Sequence, residues 1–141
     1  MTERRPIVEM PLRVRYHECD AQGIVFNAHY LAYADMAAFE VERVLFGSHD
    51  ALLATGVDVV VAESNLRYFA PCRFDDELAV AVYLTRLGTT SMQFELEVRR
   101  GETVTTEIRL RYVFVDTGNY RKTEPPPDVR AAYAKHLPEA V

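Results

Sequence analysis

Hydrophobic residues dominate one uninterrupted stretch near the start of the chain, from about Ala28 to Phe46. This stretch reads AHYLAYADMAAFEVERVLF, contains neither glycine nor proline, and is followed by Gly47. Good helix formers without a breaker, closed by a glycine, predict one long α-helix, for which Asn27 is a plausible N-cap. Because apolar residues extend around more than one face, we expect this helix to be covered on most sides.

Most of the remaining chain alternates apolar and polar residues, which is typical of half-buried β-strands. The first such segment contains Leu12, Val14 and Tyr16. A β-branched run extends from Val57 to Phe69, and three alternating segments follow, the last two joined by a hairpin turn at Arg100-Gly101-Glu102. The alternating residues are Leu78, Val80, Val82 and Leu84, then Met92, Phe94, Leu96 and Val98, then Val104, Thr106, Ile108, Leu110, Tyr112 and Phe114.

Two shorter segments favour helix. SHDALLATG follows the long helix, and DVRAAYAKHL follows the prolines Pro125 to Pro127, which stop the last strand; we expect this terminal helix to lie on the surface. One long apolar helix with about five strands predicts an α+β fold in which an antiparallel sheet curls around the helix. A single sheet layer leaves its edges uncovered, so we expect two copies to join their sheets edge to edge.

Composition narrows the class of protein. The 141 residues, 49% hydrophobic and 26% charged, suit one globular domain spanning residues 1–141. A net charge of -5 argues against nucleic acid as a partner. We find neither a secretory leader nor the roughly 20 apolar residues of a membrane span, and we expect a cytoplasmic protein with no membrane partner. Cys19 and Cys72 are too few for a disulfide framework and lack metal-ligand spacing, which favours reduced thiols.

A polar, glycine-containing loop before the long helix carries the most specific motif. Residues 14–31, VRYHECDAQGIVFNAHYL, and residues 65–78, NLRYFAPCRFDDEL, resemble the hotdog-fold acyl-CoA thioesterases, specifically the 4-hydroxybenzoyl-CoA thioesterase-like group. The similarity runs from the first strand to Val115-Asp116; D-x-x-G-I-V is its specific part, whereas R-Y-x-x-P and D-E-L mark mainly sheet and turn positions. The resemblance implies a hotdog fold and hydrolysis of an acyl-CoA to free acid and coenzyme A. We expect a homo-oligomer, either a dimer or a dimer of dimers (a homotetramer).

The resemblance also implies roles for individual residues. Asp20 matches the acidic residue that attacks the thioester carbonyl or activates water, and Asn27 matches the region whose backbone N–H polarises the carbonyl oxygen. Basic residues near the end of the sheet, often in the neighbouring subunit, contact the coenzyme A phosphates; Arg121 and Lys122 are the nearest candidates. The other substrate-binding candidates are Gly23, Ile24, Val25, His29 and Tyr30.

Thioester chemistry fits this small set of residues. An alkyl thiol has a pKa of about 8.5, so it leaves without a dedicated acid and one carboxylate can suffice. Unpaired N–H groups and the dipole at a helix N-terminus stabilise charge on the carbonyl oxygen. We therefore expect neither a metal nor a redox cofactor, with coenzyme A present only as part of the substrate.

Other roles for these residues stay open. Asp followed by Ala-Gln-Gly is also ordinary turn chemistry, so a purely turn-shaping Asp20 is one alternative. Asp35 and Glu40 are alternative carboxylates, since a second group of hotdog thioesterases carries its carboxylate within the central helix, although surface-facing charges are the simpler account. We expect Cys19 to be a packing residue, because it and His17 lack a third orienting group.

Two other function classes compete with a thioesterase. A hotdog hydratase or dehydratase needs a positioned base, usually in a His-centred motif, and the surroundings of His17 and His29 show none. A non-catalytic acyl-thioester-binding protein has no need for a carboxylate at the carbonyl, so Asp20 separates it from a hydrolase. Direct attack by Asp20 and activation of water are both compatible with the pattern, as are aromatic, short aliphatic and longer acyl groups.

Overall fold

A computed structural model describes residues 4–138, so residues 1–3 and 139–141 of the predicted domain lie outside the described residues. The strands are β1 (Val8–Arg13), β2 (Val57–Tyr68), β3 (Glu77–Leu87), β4 (Ser91–Arg100) and β5 (Thr103–Asp116). The helices are α1 (His29–Phe46), α2 (His49–Leu53) and α3 (Pro127–Ala134). All five strands form one antiparallel sheet in the order β1-β3-β4-β5-β2, with α1 packed against it. This is the predicted α+β hotdog fold.

The sheet curls because three of its strands carry an extra residue. Ala62 in β2, Thr85 in β3 and Thr105 in β5 have no partner in the register of the neighbouring strand. Such a bulge bends a strand and increases its twist. The hairpin predicted at Arg100-Gly101-Glu102 is confirmed, with Gly101 at a φ of 61°.

The core lies between α1 and the concave face of the sheet. Ala34 and Ala37 are fully buried, and their small side chains let the helix backbone approach the strands closely. Cys72 is also buried, and both it and Cys19 are free thiols, as predicted. Within residues 4–138, no helix has the length and hydropathy needed to cross a membrane. The main buried sheet residues are Val80, Val82, Leu84, Met92, Phe94, Leu96, Val98, Ile108, Leu110 and Phe114.

The first strand ends earlier than predicted. Alternation of apolar residues suggested a strand through Tyr16, but β1 ends at Arg13. Arg13 pairs with Glu77, which is the first residue of β3, so no neighbouring strand remains for the residues beyond it. The chain instead forms a 3-10 turn at Tyr16–Glu18, and the Tyr16 side chain is exposed.

The terminal helix is not simply a surface helix, contrary to the prediction. Val129 and Tyr133 lie one helical turn apart on the same face and are both buried. The Tyr133 ring packs edge-on against Phe46 and Phe114, with centroid distances of 5.5 and 5.8 Å. Helix α3 therefore covers part of the core.

Removing the hydroxyl group from each of two buried tyrosines should change the free energy of unfolding in opposite directions. Among the described residues the Tyr112 hydroxyl has no hydrogen-bond partner, whereas the Tyr33 hydroxyl donates to Glu18 at 2.8 Å. A buried hydroxyl left unpaired costs about 1–3 kcal/mol. We expect Tyr112→Phe to raise the free energy of unfolding by about 1 kcal/mol in a urea titration, and Tyr33→Phe to lower it by about the same amount. A clear loss of stability in Tyr112→Phe would contradict this assignment.

Candidate active site

The loop before α1 is closed at its base by backbone pairing. The N–H of Phe26 donates to the carbonyl of Glu18 at 2.9 Å, and Cys19 and Val25 form an antiparallel bridge. The N–H of Val25 also donates to the carbonyl of Cys72 at 2.8 Å. These contacts fasten the loop both to itself and to the segment that follows β2.

Asp20 stands inside this closed loop. Its N–H donates to the carbonyl of Ile24, and the N–H of Gly23 donates back to the carbonyl of Asp20, both at 2.9 Å. Gly23 has a φ of 79°, which L side chains rarely adopt, so the turn requires a glycine at this position. One carboxylate oxygen of Asp20, Oδ1, accepts the N–H of Gln22 at 2.8 Å. Oδ2 has no partner within residues 4–138, so Asp20 shapes the turn and still presents one free oxygen.

Helix α1 begins one residue later than an Asn27 cap requires, so the predicted N-cap is wrong. Ala28 is the N-cap, and its φ of -71° and ψ of -21° are already helical. The N–H of His29 donates to the carbonyl of Phe26 at 2.8 Å, which starts the helical turn. No side chain caps the helix, and the amides of Asn27 and Ala28 have no backbone acceptor in the described part of the chain. These donors and the helix dipole together create a positive potential at this point.

A pocket of about 380 Å³ lies beside the loop, the start of α1 and the end of β2. The hydroxyl of Tyr68, the last residue of β2, donates to the carbonyl of Asn27 at 3.1 Å. Its ring packs edge-on against Tyr30 with a centroid distance of 5.5 Å, which joins the sheet wall to the helix wall. The pocket is lined by Asp20, Gln22, Ile24, Val25, Asn27, Tyr30, Tyr68, Phe69, Ala70 and Pro71.

The bulge in β5 holds the outer wall of this pocket. The carbonyl of Thr105 accepts the N–H groups of Phe69 and Ala70 at 2.8 and 3.2 Å. The Thr105 hydroxyl donates to the carbonyl of Val98 at 3.1 Å, and the Cys72 thiol donates to that hydroxyl at 3.2 Å. Because Thr105 is fully buried, this network is shielded from water and fixes the segment after β2.

The pocket brings together most of the residues suggested by the sequence, but not all of them. Gly23 shapes the loop without lining the pocket. His29 is half-buried, and its ring packs edge-on against Phe26 with a centroid distance of 6.2 Å. His17 is exposed in the 3-10 turn. The predicted residues that do line the pocket are Asp20, Ile24, Val25, Asn27 and Tyr30.

Arg121 and Lys122 lie at the other end of the sheet in the same chain. They follow β5, whose last residue Asp116 pairs with the first residue of β2, whereas the pocket contains the last residue of β2. Because each residue of a strand adds about 3.3 Å, the two ends of β2 are separated by roughly 30 Å. The structure of one chain therefore does not bring these basic residues to the pocket.

Five pocket residues were not identified from the sequence as site residues. Four of them form the run from Tyr68 to Pro71, and the fifth is Gln22 on the loop. The Tyr68–Pro71 run belongs to the R-Y-x-x-P segment that the resemblance already covered, so a signal was present. That motif indicated only sheet and turn positions. The pairing of β2 with β5 brings this run to the loop, and the local sequence does not show that pairing.

The cysteine in the loop does not suit nucleophilic attack. The pKa of the Cys19 thiol is raised by burial and also by the carboxylates of Glu18, Asp20 and Asp76. The reactive form of cysteine is the thiolate, which a raised pKa disfavours. Cys19 is thus better described as a packing residue.

The alternative carboxylates on α1 do not line the pocket. Asp35 is exposed to solvent. Glu40 forms an ion pair with Arg43, three residues further along the helix, at 3.3 Å. Both positions fit the simpler account of charges on the helix surface.

One group of side chains in residues 4–138 has metal-ligating atoms close together, away from the pocket. Atoms of Glu42, His49 and Asp58 lie within 4.8 Å of one another. Glu42 Oε2 is 2.7 Å from His49 Nδ1, and burial raises the pKa of the Glu42 carboxyl. This hydrogen-bonded pair links α1 to α2.

Comparison with known proteins identifies the family. A profile described as "Thioesterase superfamily" matches residues 22–107, which include every pocket-lining residue except Asp20. The chain belongs to the thioesterase superfamily. The resemblance seen in its motifs is therefore confirmed, and the protein is a thioester hydrolase.

Individual relatives of this thioesterase cover most of its length. Acyl-CoA thioester hydrolase YbgC of Escherichia coli O157:H7 is 36% identical over 107 residues, which are 75% of this chain and 80% of that protein. Acyl-CoA thioesterase YbgC of Haemophilus influenzae is 27% identical over 124 residues, 87% of this chain and 91% of that protein. The crystal structure of the PA5185 protein from Pseudomonas aeruginosa has a TM-score of 0.84 and 27% identity, covering 97% of this chain and 96% of that chain.

Replacing Gly23 should affect this thioesterase in two ways. Gly23→Ala places a side chain at positive φ and should lower the free energy of unfolding by about 1 kcal/mol. It should also lower kcat, because the turn that carries Asp20 is displaced. Gly101→Ala is the matched control, since Gly101 has a φ of 61° in a hairpin outside the pocket.

Urea titrations and thioester hydrolysis rates measure the two effects separately. Similar losses of stability with a lower kcat only in Gly23→Ala are expected. Equal kcat values in the two variants would show that the conformation of the Gly23 turn does not affect hydrolysis.

Proposed function

We propose that this thioester hydrolase cleaves an acyl-CoA to a free acid and coenzyme A, with Asp20 as nucleophile or general base. The observation that carries the proposal is the pocket itself. It contains a carboxylate with a free oxygen beside a helix start where the amides of Asn27 and Ala28 lack backbone acceptors. The names of the YbgC relatives support an acyl-CoA as the substrate.

The helix start would stabilise the charge that develops during the reaction. As Asp20 or a water molecule adds to the carbonyl carbon, the carbonyl oxygen becomes negative and accepts a hydrogen bond from the amide of Asn27 or Ala28. Removal of one such donor typically lowers kcat by about 10²–10³-fold. The dipole of α1, which has 18 residues, acts in the same direction.

The two roles proposed for Asp20 differ in the intermediate. Direct attack forms a bond between its carboxylate and the acyl carbon and expels the coenzyme A thiolate, leaving an anhydride that water then hydrolyses. In the second role Asp20 takes a proton from water as the water attacks. In both cases the thiolate leaves without a general acid because its pKa is low, so we propose a reaction without a metal or redox cofactor.

The position of the basic residues fits a site shared between copies of the chain. Arg121 and Lys122 lie at the far end of the sheet from the pocket. We propose that they contact the coenzyme A phosphates of a substrate whose acyl group is bound by a partner copy. The apolar surface of Val25, Tyr30 and Phe69 would contact the acyl side of the substrate.

We also propose that a second copy pairs along β2. This strand is 12 residues long and occupies one edge of the sheet, so its outer backbone groups have no strand partner within residues 4–138. Edges of this length promote pairing with another chain unless they are covered. Apolar side chains are exposed on this edge strand and on α1. On α1 they show that a single chain does not cover the helix on most sides, although its sequence predicted that cover. These exposed residues are Val60 and Val61 on β2, and Leu31, Met36, Phe39 and Val44 on α1.

The free thiols of Cys19 and Cys72 agree with a reducing compartment. On this basis we propose that the protein acts in the cytoplasm.

Replacing Asp20 tests the proposed role directly. Asp20→Asn keeps the bond from Gln22 N–H to the side-chain oxygen but removes the charge, so we expect kcat to fall by at least about 100-fold. Asp35→Asn and Glu40→Gln are matched controls because both carboxylates lie on α1 outside the pocket, and each should retain activity within about twofold. Release of free thiol from a panel of acyl-CoA thioesters measures hydrolysis and separates it from hydration.

Full activity in Asp20→Asn with loss in Asp35→Asn or Glu40→Gln would move the catalytic role onto the helix. No thiol release from any acyl-CoA by the parent protein would instead favour a binding function.

Light scattering tests the proposed β2 interface. The parent protein should have at least twice the mass of one 16.1 kDa chain at assay concentration. Val61→Lys places a charge on the exposed edge strand and should shift the mass towards that of one chain. Thr89→Lys, on an exposed turn between β3 and β4, is the control and should leave the mass unchanged. A parent protein of single-chain mass would contradict the proposal.

A further inference from the structure

A buried tyrosine connects α1 to the loop that carries Asp20. Tyr33 is 1% exposed and lies in the second turn of the helix. Its hydroxyl donates to Glu18 Oε1 at 2.8 Å, and the same oxygen accepts the N–H of Arg15 at 2.7 Å. Neither Tyr33 nor Glu18 lines the pocket, so neither is placed to contact the substrate.

Glu18 joins the two sides of the loop to the helix. Its backbone carbonyl accepts the N–H of Phe26 at the far side of the loop, while its side chain accepts the hydroxyl of Tyr33. Asp20 follows two residues later and is held by hydrogen bonds within that loop. Glu18 therefore connects the loop that carries Asp20 to α1 through both its backbone and its side chain.

The pair joins a fully buried hydroxyl to a half-buried carboxylate. Removing water from the Tyr33 hydroxyl has a cost, which its hydrogen bond to the half-buried Glu18 carboxylate compensates. A hydrogen bond between them adds direction, which apolar packing does not. Burial and the bond to Glu18 raise the pKa of Tyr33, so the hydroxyl keeps its proton and remains a donor at neutral pH. The Tyr33 ring also packs edge-on against Tyr30, a pocket residue, at 5.8 Å.

We propose that Tyr33 and Glu18 are positioning residues for Asp20. Their hydrogen bond holds the loop on the first turns of α1, so that the free oxygen of Asp20 faces a carbonyl placed at the helix start. This inference rests on the role proposed for Asp20. It assigns a role to two residues that do not line the pocket.

Single variants separate positioning from packing. Tyr33→Phe removes only the hydroxyl and should lower kcat about tenfold with KM within about twofold, since a small misplacement of a reacting group is costly in rate but leaves substrate contacts in place. Glu18→Ala should give a similar loss. Glu18→Gln keeps an oxygen that accepts both Tyr33 and Arg15, so it should recover most of the lost activity. Tyr112→Phe is the matched control, because its buried hydroxyl has no partner among the described residues, and its kcat should equal that of the parent.

A double variant shows whether Tyr33 acts through Asp20. In the Asp20→Asn background, Tyr33→Phe should cause no further loss of kcat, because there is no catalytic carboxylate left to position. Thermal melts of each variant confirm that it folds. If Tyr33→Phe does not fold, Glu18→Ala and Glu18→Gln test the same hydrogen bond, because the first removes its acceptor and the second keeps one.

The possible outcomes are distinguishable. Unchanged kcat in Tyr33→Phe with an inactive Asp20→Asn overturns this inference and leaves the proposed function in place. Losses that multiply in the double variant also overturn it, since Tyr33 would then act independently of Asp20. Full activity in Asp20→Asn overturns both the proposed function and the inference.

Discussion

The candidate site depends on how one short loop is fastened to the start of a helix. The bond from Phe26 N–H to the carbonyl of Glu18 closes the loop, and the carbonyl of Phe26 then accepts the N–H of His29 as α1 begins. The carboxylate of Asp20 and the free amides at the helix start are thus related by consecutive hydrogen bonds along a few residues. In the proposed mechanism, the group that attacks the carbonyl and the groups that stabilise its charge are thereby held in fixed relative positions, which is the main requirement for this chemistry.

The curled sheet supplies the rest of the pocket. A regular strand would use every backbone group in its ladder, but the bulge leaves the carbonyl of Thr105 free to accept Phe69 and Ala70. The same irregularity that bends the sheet around α1 therefore anchors the wall opposite the loop. Tyr68 then connects that wall to the helix start through its bond to Asn27. Curvature and site geometry have a common origin in this fold.

Local patterns predicted the parts of the molecule that depend on local physics. The long helix begins within one residue of its predicted start, whereas the role expected of Asp20 came from the family resemblance of its loop and not from local spacing. The end of β1 was missed because it is set by where Glu77 begins the neighbouring strand. Tyr68 was missed as a pocket residue for the same reason, since strand register carries it to the loop from far along the chain. Chain contacts of this kind leave no periodic trace in the sequence.

The most direct test of the central claim is a crystal structure of Asp20→Asn with an unreacted acyl-CoA bound. If the helix start polarises the thioester, the carbonyl oxygen should lie about 2.7–3.1 Å from the backbone nitrogen of Asn27 or Ala28, with the side chain of residue 20 facing the carbonyl carbon. A carbonyl bound away from the start of α1, or on the opposite side of the pocket from residue 20, would contradict the claim.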